Sequence, residues 1–139
     1  TAAESCTVGH LVAQLGAVPG ASRVLREAVV AYAAEVKTRR LGVPPAVIVT
    51  DGLVSAAVAE AMAAGVQHRT GADLALATTG IAGPDGGSPA TPVGTVWLAA
   101  AYRGQVVSRL TSLKGTRERI QRRAAAQALV LGWELISGR

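Results

Sequence analysis

The chain has 139 residues, which suits one domain with one core, and half of these residues are hydrophobic. Phe is absent and aromatic residues make up only 3%, so we expect a core of Ala, Val, Leu and Ile. The single Cys6 excludes an internal disulfide, and no apolar run approaches the ~20 residues of a membrane helix. A net charge of +5 is a moderate basic excess, and these features together favour a reducing, cytoplasmic setting.

Hydrophobic spacing predicts four elements in the first half of the chain. They are a helix over 9–17, a strand over 24–32, a short helix over 33–41 and a longer helix over 54–69. Ser55 is the expected N-cap of the longer helix, because its hydroxyl can accept a bond from the first helical turn. Val58, Met62 and Val66 recur along that helix at the spacing of one buried face.

The second half of the chain is predicted to end in a hairpin and a helix. Its elements are a strand over 74–78, a loop over 80–92, strands over 93–102 and 105–113, and a final helix. Arg103-Gly104 forms the predicted hairpin turn, and Thr116 caps the final helix. The alternation of strands and helices predicts an α/β fold, a three-layer α/β/α sandwich with a mixed β-sheet. We expect one domain over 1–139, and a start at Thr1 without Met is compatible with a further N-terminal domain upstream.

Two distant segments place small hydroxyl residues and glycines in turns, where backbone N–H groups can hold a substrate. The first is Ala3-Glu4-Ser5-Cys6-Thr7, and the second covers 78–87. Between them, Tyr32 and Lys37 offer a phenol and an amine, and a neutral amine can take the proton of a serine. Each residue also has an ordinary structural interpretation: Ser5 as a helix cap, Lys37 as a solvated lysine, Tyr32 as a half-buried aromatic.

Other kinds of site compete for the same region. Cys6 and His10 are four residues apart and can form a thiol nucleophile with its base, but chance pairs at this spacing are common. One Cys and two His, with His68 distant, do not form a spaced zinc ligand set. The arginines between residues 117 and 123 form the densest positive run, yet few aromatics accompany them, which disfavours nucleic-acid binding.

Five motifs follow one another along nearly the whole chain. They are Ala3-Glu4-Ser5-Cys6-Thr7, Val29-Val30-Ala31-Tyr32 with Lys37-Thr38, Gly52-Leu53-Val54-Ser55, Thr79-Gly80-Ile81-Ala82-Gly83-Pro84, and Pro92-Val93-Gly94-Thr95-Val96-Trp97. In this order they resemble the CinA C-terminal domain, the family that includes the PncC nicotinamide-nucleotide amidases. The resemblance implies hydrolysis of the carboxamide of nicotinamide mononucleotide to nicotinate mononucleotide and ammonia, with no cofactor and no metal.

The resemblance also implies a role for each site residue. Ser5 would be the nucleophile, Lys37 its base, and Tyr32 a residue that assists proton transfer or orients Lys37. Backbone N–H groups after Ser5, at the start of the next helix, would stabilise the oxyanion. Substrate-binding roles would fall on Thr7, Thr79, Gly80, Gly83 and Arg117, with Arg117 meeting the phosphate. The implied partners are a pyridine mononucleotide and further copies of the chain in a homodimer or higher homo-oligomer, with no membrane.

Three positions depart from the family pattern. Val8 stands where the family commonly has a glycine after Cys-Thr, Ala34 stands where it favours Asn, and Gln121 stands where an arginine is frequent. A β-branched Val8 narrows the turn beside Ser5, and Ala34 removes an amide from the pocket. The departures at Val8 and Ala34 suggest an alternative interpretation, a catalytically impaired pyridine-nucleotide-binding or regulatory domain of a CinA-like protein.

Overall fold

The structure, a computed structural model, describes all residues from Thr1 to Arg139. Its strands are β1 (Ala2–Glu4), β2 (Ala28–Val30), β3 (Leu74–Gly80), β4 (Thr95–Tyr102) and β5 (Gln105–Ser112). Its helices are α1 (His10–Gly16), α2 (Ala34–Leu41), α3 (Pro45–Asp51), α4 (Ala56–Thr70) and α5 (Arg117–Ser137), with a 3-10 turn at Ala21–Arg23. None of these helices combines the length and apolar character needed to cross a lipid bilayer.

The five strands form one mixed sheet in the order β2-β1-β3-β4-β5. β1 runs parallel to β2 and β3, whereas β4 and β5 join antiparallel. α1 and α5 pack on one face of the sheet, and α2, α3 and α4 pack on the other. The predicted α/β architecture with a mixed sheet and helices on both faces is therefore confirmed.

Small side chains let the helices lie close to the sheet and to each other. Alanines of β3 and β4, such as Ala77 and Ala99, are fully buried under α4. Gly65 of α4 passes so close to α2 that a Cβ there would lie 1.8 Å from the Leu41 carbonyl oxygen. The larger core side chains, such as Met62, fill the remaining space, and each contributes about 1.5–3 kcal/mol by burial.

Local signals predict several element ends correctly. Ser55 caps α4, since its hydroxyl accepts a bond from the Val58 N–H at 3.2 Å. Thr116 caps α5 in the same way through Arg119. The β4–β5 turn is Arg103-Gly104, and both residues have positive φ, as this tight turn requires.

One predicted strand is too long, and one helix is missing from the prediction. The strand predicted over 24–32 contracts to β2, because residues 21–23 form a 3-10 turn and Val24 is 74% exposed. No element is predicted between residues 41 and 54, yet Pro45 opens α3 there. Proline is compatible with the first turn of a helix, where its missing N–H has no intrahelical partner.

The sheet brings the two distant small-residue segments together. Glu4 is in register with Val30 on β2 and with Thr78 on β3, so these parallel strands end at the same edge. Ser5 is the first residue beyond that edge, and its N–H donates to the Thr78 carbonyl at 3.0 Å. The carboxyl end of parallel strands is where α/β proteins commonly bind ligands.

Candidate active site

Ser5 lies in a tight turn between β1 and α1, and only 8% of it is exposed. Its hydroxyl is not the cap of α1, because the N-cap of that helix is Gly9 and its first amides bind Glu4. The capping interpretation of Ser5 is therefore wrong, and the Oγ is free for another contact. That contact is Lys37, whose Nζ lies 3.0 Å away.

Lys37 points from the first turns of α2 into the protein, where it is 1% exposed. Its Nζ contacts three oxygens: Ser5 Oγ at 3.0 Å, the Ala31 carbonyl at 2.7 Å and the Tyr32 carbonyl at 2.9 Å. No carboxylate forms an ion pair with it. The interpretation of Lys37 as a solvated surface lysine is therefore wrong.

This environment favours the neutral amine. Burial lowers the pKa of Lys37, an effect that the Cys6 thiol and the Glu35 carboxylate partly oppose. Carbonyl oxygens only accept hydrogen bonds, so a neutral amine would give its hydrogens to Ala31 and Tyr32. Its lone pair would then face the Ser5 hydroxyl, which is the arrangement of a nucleophile with its base.

Tyr32 acts on Lys37 through its main chain and on Arg117 through its side chain. The Tyr32 carbonyl accepts a bond from Lys37 Nζ, whereas its phenol is exposed and accepts a bond from Arg117 Nη2 at 3.2 Å. Arg117 Nη1 also donates to the Gly83 carbonyl at 2.7 Å. The exposed Arg117 thus joins the residues after β2 to the loop after β3.

The hydroxyls of Thr7 and Thr79 have partners within the protein. Thr7 is fully buried, and its Oγ1 lies 2.6 Å from Glu4 Oε2 and 2.8 Å from Thr78 Oγ1. Thr79 Oγ1 donates to the Leu53 carbonyl at 2.7 Å. Gly80 passes close to β4, where a Cβ would lie 2.6 Å from the Thr95 carbonyl oxygen. These residues hold the walls of the site, and substrate contact by any of them stays a prediction.

The backbone N–H groups between Ser5 and the first turn of α1 fall into two sets. The N–H groups of Gly9, Leu11 and Val12 all donate to the Glu4 carboxylate. The N–H groups of Cys6 and Thr7 donate to no other residue. The N–H groups without a partner in another residue therefore lie in the turn directly after Ser5, before α1 begins.

Two side chains that support this turn escaped the sequence prediction. Glu4 is fully buried and binds the first amides of α1, although its only sequence signal is a charge beside two strand alanines. Gln121 of α5 is 6% exposed, and its Nε2 donates to the Cys6 carbonyl at 2.9 Å. The Gln121 departure from the family pattern thus places an amide against the backbone of the turn.

The thiol alternative has no geometric support. Cys6 is buried, and burial raises the pKa of its thiol to about 12, so the thiol stays protonated at neutral pH. No hydrogen bond joins Cys6 to His10. No cluster of three or more His, Cys, Asp or Glu side chains has the proximity needed for a metal site.

An apolar surface groove lies at the other end of the parallel strands. It has a volume of about 630 Å³ and is lined mainly by the segment between α1 and β2, together with residues of β3 and α5 such as Leu74 and Trp133. Neither Ser5 nor Lys37 lines it. The candidate reactive side chains, Ser5 and Lys37, therefore lie away from this groove.

Comparison with known proteins decides the family. The family model described as the CinA C-terminal domain matches residues 1–135. The chain belongs to this family. A CinA-like protein of Gemmatimonas aurantiaca is 53% identical over 127 residues, which are 91% of this chain and 30% of that protein. A CinA-like protein of Mycobacterium tuberculosis is 47% identical over 137 residues, 98% of this chain and 32% of that protein.

Solved CinA-family structures share the fold over almost the whole chain. The competence damage-inducible protein A of Klebsiella pneumoniae has a TM-score of 0.92 and 36% identity, covering 97% of this chain and 84% of its own. A CinA superfamily protein of Escherichia coli has a TM-score of 0.91 and 34% identity, covering 96% and 78%. The chain spans only about a third of the length of the curated CinA-like relatives.

Proposed function

We propose that this chain is an amidohydrolase that deamidates nicotinamide mononucleotide to nicotinate mononucleotide and ammonia. The observation that carries the proposal is the 3.0 Å contact between Ser5 Oγ and Lys37 Nζ inside the protein. Burial lowers the pKa of the lysine, which increases the fraction of neutral amine that can act as a base. Membership of the CinA family supports the substrate class, because the family resemblance includes the nicotinamide-nucleotide amidases.

The reaction follows from the order of groups around Ser5. Neutral Lys37 takes the Ser5 proton as Oγ attacks the carboxamide carbon, and the N–H groups of Cys6 and Thr7 receive the developing oxyanion. The Lys37 ammonium returns its proton to the leaving nitrogen, and ammonia departs. Lys37 then takes a proton from water as the water oxygen attacks the ester carbon, and it returns this proton to Ser5 Oγ as the ester bond breaks and the carboxylate product leaves.

Arg117 is the candidate phosphate ligand. Its guanidinium is exposed at the first position of α5, where it binds the Tyr32 phenol and the Gly83 carbonyl. A guanidinium has further N–H donors in its plane, and these suit a phosphate. Tyr32 and Gly83 would therefore orient Arg117 at the mouth of the site while the carboxamide enters toward Ser5.

The departures at Val8 and Ala34 leave the Ser5–Lys37 contact in place. With Val8 the chain forms the turn after Ser5, and with Ala34 it begins α2. This observation favours catalysis over a domain that binds a pyridine nucleotide without turning it over.

Ammonia release and calorimetry on the same purified protein distinguish the two functions. We expect ammonia release from nicotinamide mononucleotide and weaker use of nicotinamide riboside, because the riboside lacks the phosphate that Arg117 would bind. Arg117→Gln should raise KM for the mononucleotide and leave the riboside rate nearly unchanged. Heat of binding without ammonia release would instead support the regulatory domain.

A further inference from the structure

Glu4 is a fully buried carboxylate one residue before the nucleophile. Its Oε2 lies 2.6 Å from Thr7 Oγ1, 2.8 Å from the Gly9 nitrogen and 3.1 Å from the Leu11 nitrogen. Its Oε1 lies 2.8 Å from the Val12 nitrogen. All four partners can donate a hydrogen bond, and the positive end of a helix favours a carboxylate at this place.

These bonds fasten both ends of the turn that carries Ser5. The main chain of Glu4 lies inside the sheet, in register with Val30 and Thr78. Its side chain reaches over the turn and holds the first amides of α1. Residues 5–8 therefore connect two fixed points, the end of β1 and the start of α1. Glu4 fixes the first through its main chain and the second through its side chain.

The backbone of Val8 shows independently that the turn is constrained. Val8 has a φ of 43°, a left-handed conformation that is unfavourable for a β-branched residue. Its side chain is 42% exposed, so burial does not explain the conformation. Such a conformation persists where the surroundings hold it, and its neighbours Thr7 and Gly9 both bind Glu4.

We propose that Glu4 is a positioning residue that sets the direction of the Cys6 and Thr7 amides for the oxyanion. This role rests on the proposed hydrolysis, and Glu4 acts through the turn without touching the substrate. The N–H groups of Cys6 and Thr7 donate to no other residue, whereas those of Gly9, Leu11 and Val12 donate to the Glu4 carboxylate. In this role Glu4 binds the N–H groups at the start of α1 and leaves those of Cys6 and Thr7 for the oxyanion.

Glu4→Gln tests the role, because it keeps the side-chain size and places an NH2 donor among N–H donors. We expect kcat for ammonia release to fall by about 10²-fold with little change in KM, since small misplacement of reacting groups has effects of this size. Adding Val8→Gly should restore part of kcat, because glycine adopts positive φ without the Glu4 clamp. Val66→Ala, in the core on α4, is the control for lost stability and should leave kcat unchanged.

A fluorophosphonate probe gives a second readout that does not depend on the substrate. Ser5 Oγ displaces fluoride from phosphorus, Lys37 takes the Ser5 proton, and intact-mass spectrometry follows the added mass. Glu4→Gln should slow this labelling. If Glu4→Gln does not fold, Thr7→Val removes one arm of the clamp and should slow labelling by a smaller factor.

The outcomes separate the role of Glu4 from the proposed function. Wild-type labelling that slows in Glu4→Gln or Thr7→Val, without any ammonia release, would support the positioning role and contradict the amidase. Ammonia release and labelling at wild-type rates in folded Glu4→Gln would overturn the positioning role and leave the amidase standing. A kcat loss in Val66→Ala as large as that in Glu4→Gln would also overturn it, since stability alone would then explain the loss.

Discussion

Lys37 is a lysine whose side chain is buried, so water cannot solvate its ammonium form. Three oxygens surround its Nζ, and none of them belongs to a carboxylate. Carbonyl dipoles compensate a buried charge less well than an opposite charge does, so burial dominates and lowers the pKa of Lys37. The reactivity proposed for Ser5 depends on this one difference from a surface lysine.

The pH profile of the reaction should report the Lys37 pKa. The neutral amine is the active form and its fraction increases with pH, so kcat/KM should rise with pH and level off above that pKa. The midpoint should lie below about 10.4, the value of a free lysine. The measurement is ammonia release at saturating and limiting substrate across the pH range, with Lys37→Met as the control that loses the profile. A rate that falls as pH rises through neutrality would contradict this assignment.

Val8 should be replaceable by glycine with a gain in stability. Relief of the strained positive φ of Val8 should stabilise the folded state by about 1–3 kcal/mol. Glycine has more conformational freedom in the unfolded chain, which should offset about 0.5–1 kcal/mol of this gain. We therefore expect Val8→Gly to raise the free energy of unfolding by roughly 1 kcal/mol in urea denaturation.

Arg103→Gly is the matched comparison for Val8→Gly. Val8 and Arg103 are the two non-glycine residues with positive φ. Arg103, with a φ of 50°, is exposed and not β-branched. Its gain in stability should be smaller than that of Val8→Gly. A loss of stability in Val8→Gly would show that the Val8 side chain makes contacts that outweigh its backbone strain.

At the scale of elements, α5 links the two ends of the site. Its first residue, Arg117, reaches the mouth of the site, and Gln121 one turn later holds the Cys6 carbonyl. The two side chains lie at i and i+4, so they share one face of the helix. A shift of α5 would therefore move both the proposed phosphate ligand and the turn that carries the nucleophile.

Gln121→Ala should lower kcat by about 10-fold, because the Cys6 carbonyl loses its partner and the adjacent amides gain freedom. Ammonia release with folded protein measures this loss. Gln127→Ala, on the same helix but outside the site, is the matched control and should retain the wild-type rate. Equal rates in all three proteins would remove Gln121 from the support of the turn.

The elements that the sequence predicts best are those with local signals at their ends. Ser55 and Thr116 cap helices through bonds to residues three positions later, so a short window of sequence contains the information. β1 and β2 have three residues each, which is too short for a pattern, and they form because neighbouring strands pair with them. Their bounds could therefore not be read from their own residues.

The candidate site divides in the same way. The residue types of Ser5 and Lys37 suggest a nucleophile with its base, but their contact joins positions 32 residues apart, and no local pattern in the sequence predicts it. Glu4 and Gln121 bind the backbone of the turn across the fold, with no periodicity or motif to mark the contact. Their roles depend on tertiary geometry, which spacing along the chain does not express.

At the scale of the whole molecule, the sheet gathers the site from sequence-distant parts. The parallel pairing of β1 with both neighbours brings the Ser5 turn, the Lys37 helix and the loop after β3 to one edge. The apolar groove lies at the other end of these strands, so the two surfaces can be changed independently. A homo-oligomer stays a prediction, and sedimentation velocity on the purified chain measures it directly.

The most direct test of the central claim is ammonia release from nicotinamide mononucleotide by the wild type and Ser5→Ala side by side. Ser22→Ala, an exposed serine in the 3-10 turn, is the matched control. The Ser5–Lys37 mechanism predicts that Ser5→Ala loses on the order of 10³-fold or more in turnover, as loss of a nucleophile does elsewhere, while Ser22→Ala retains the wild-type rate. An undiminished rate in Ser5→Ala would contradict the account.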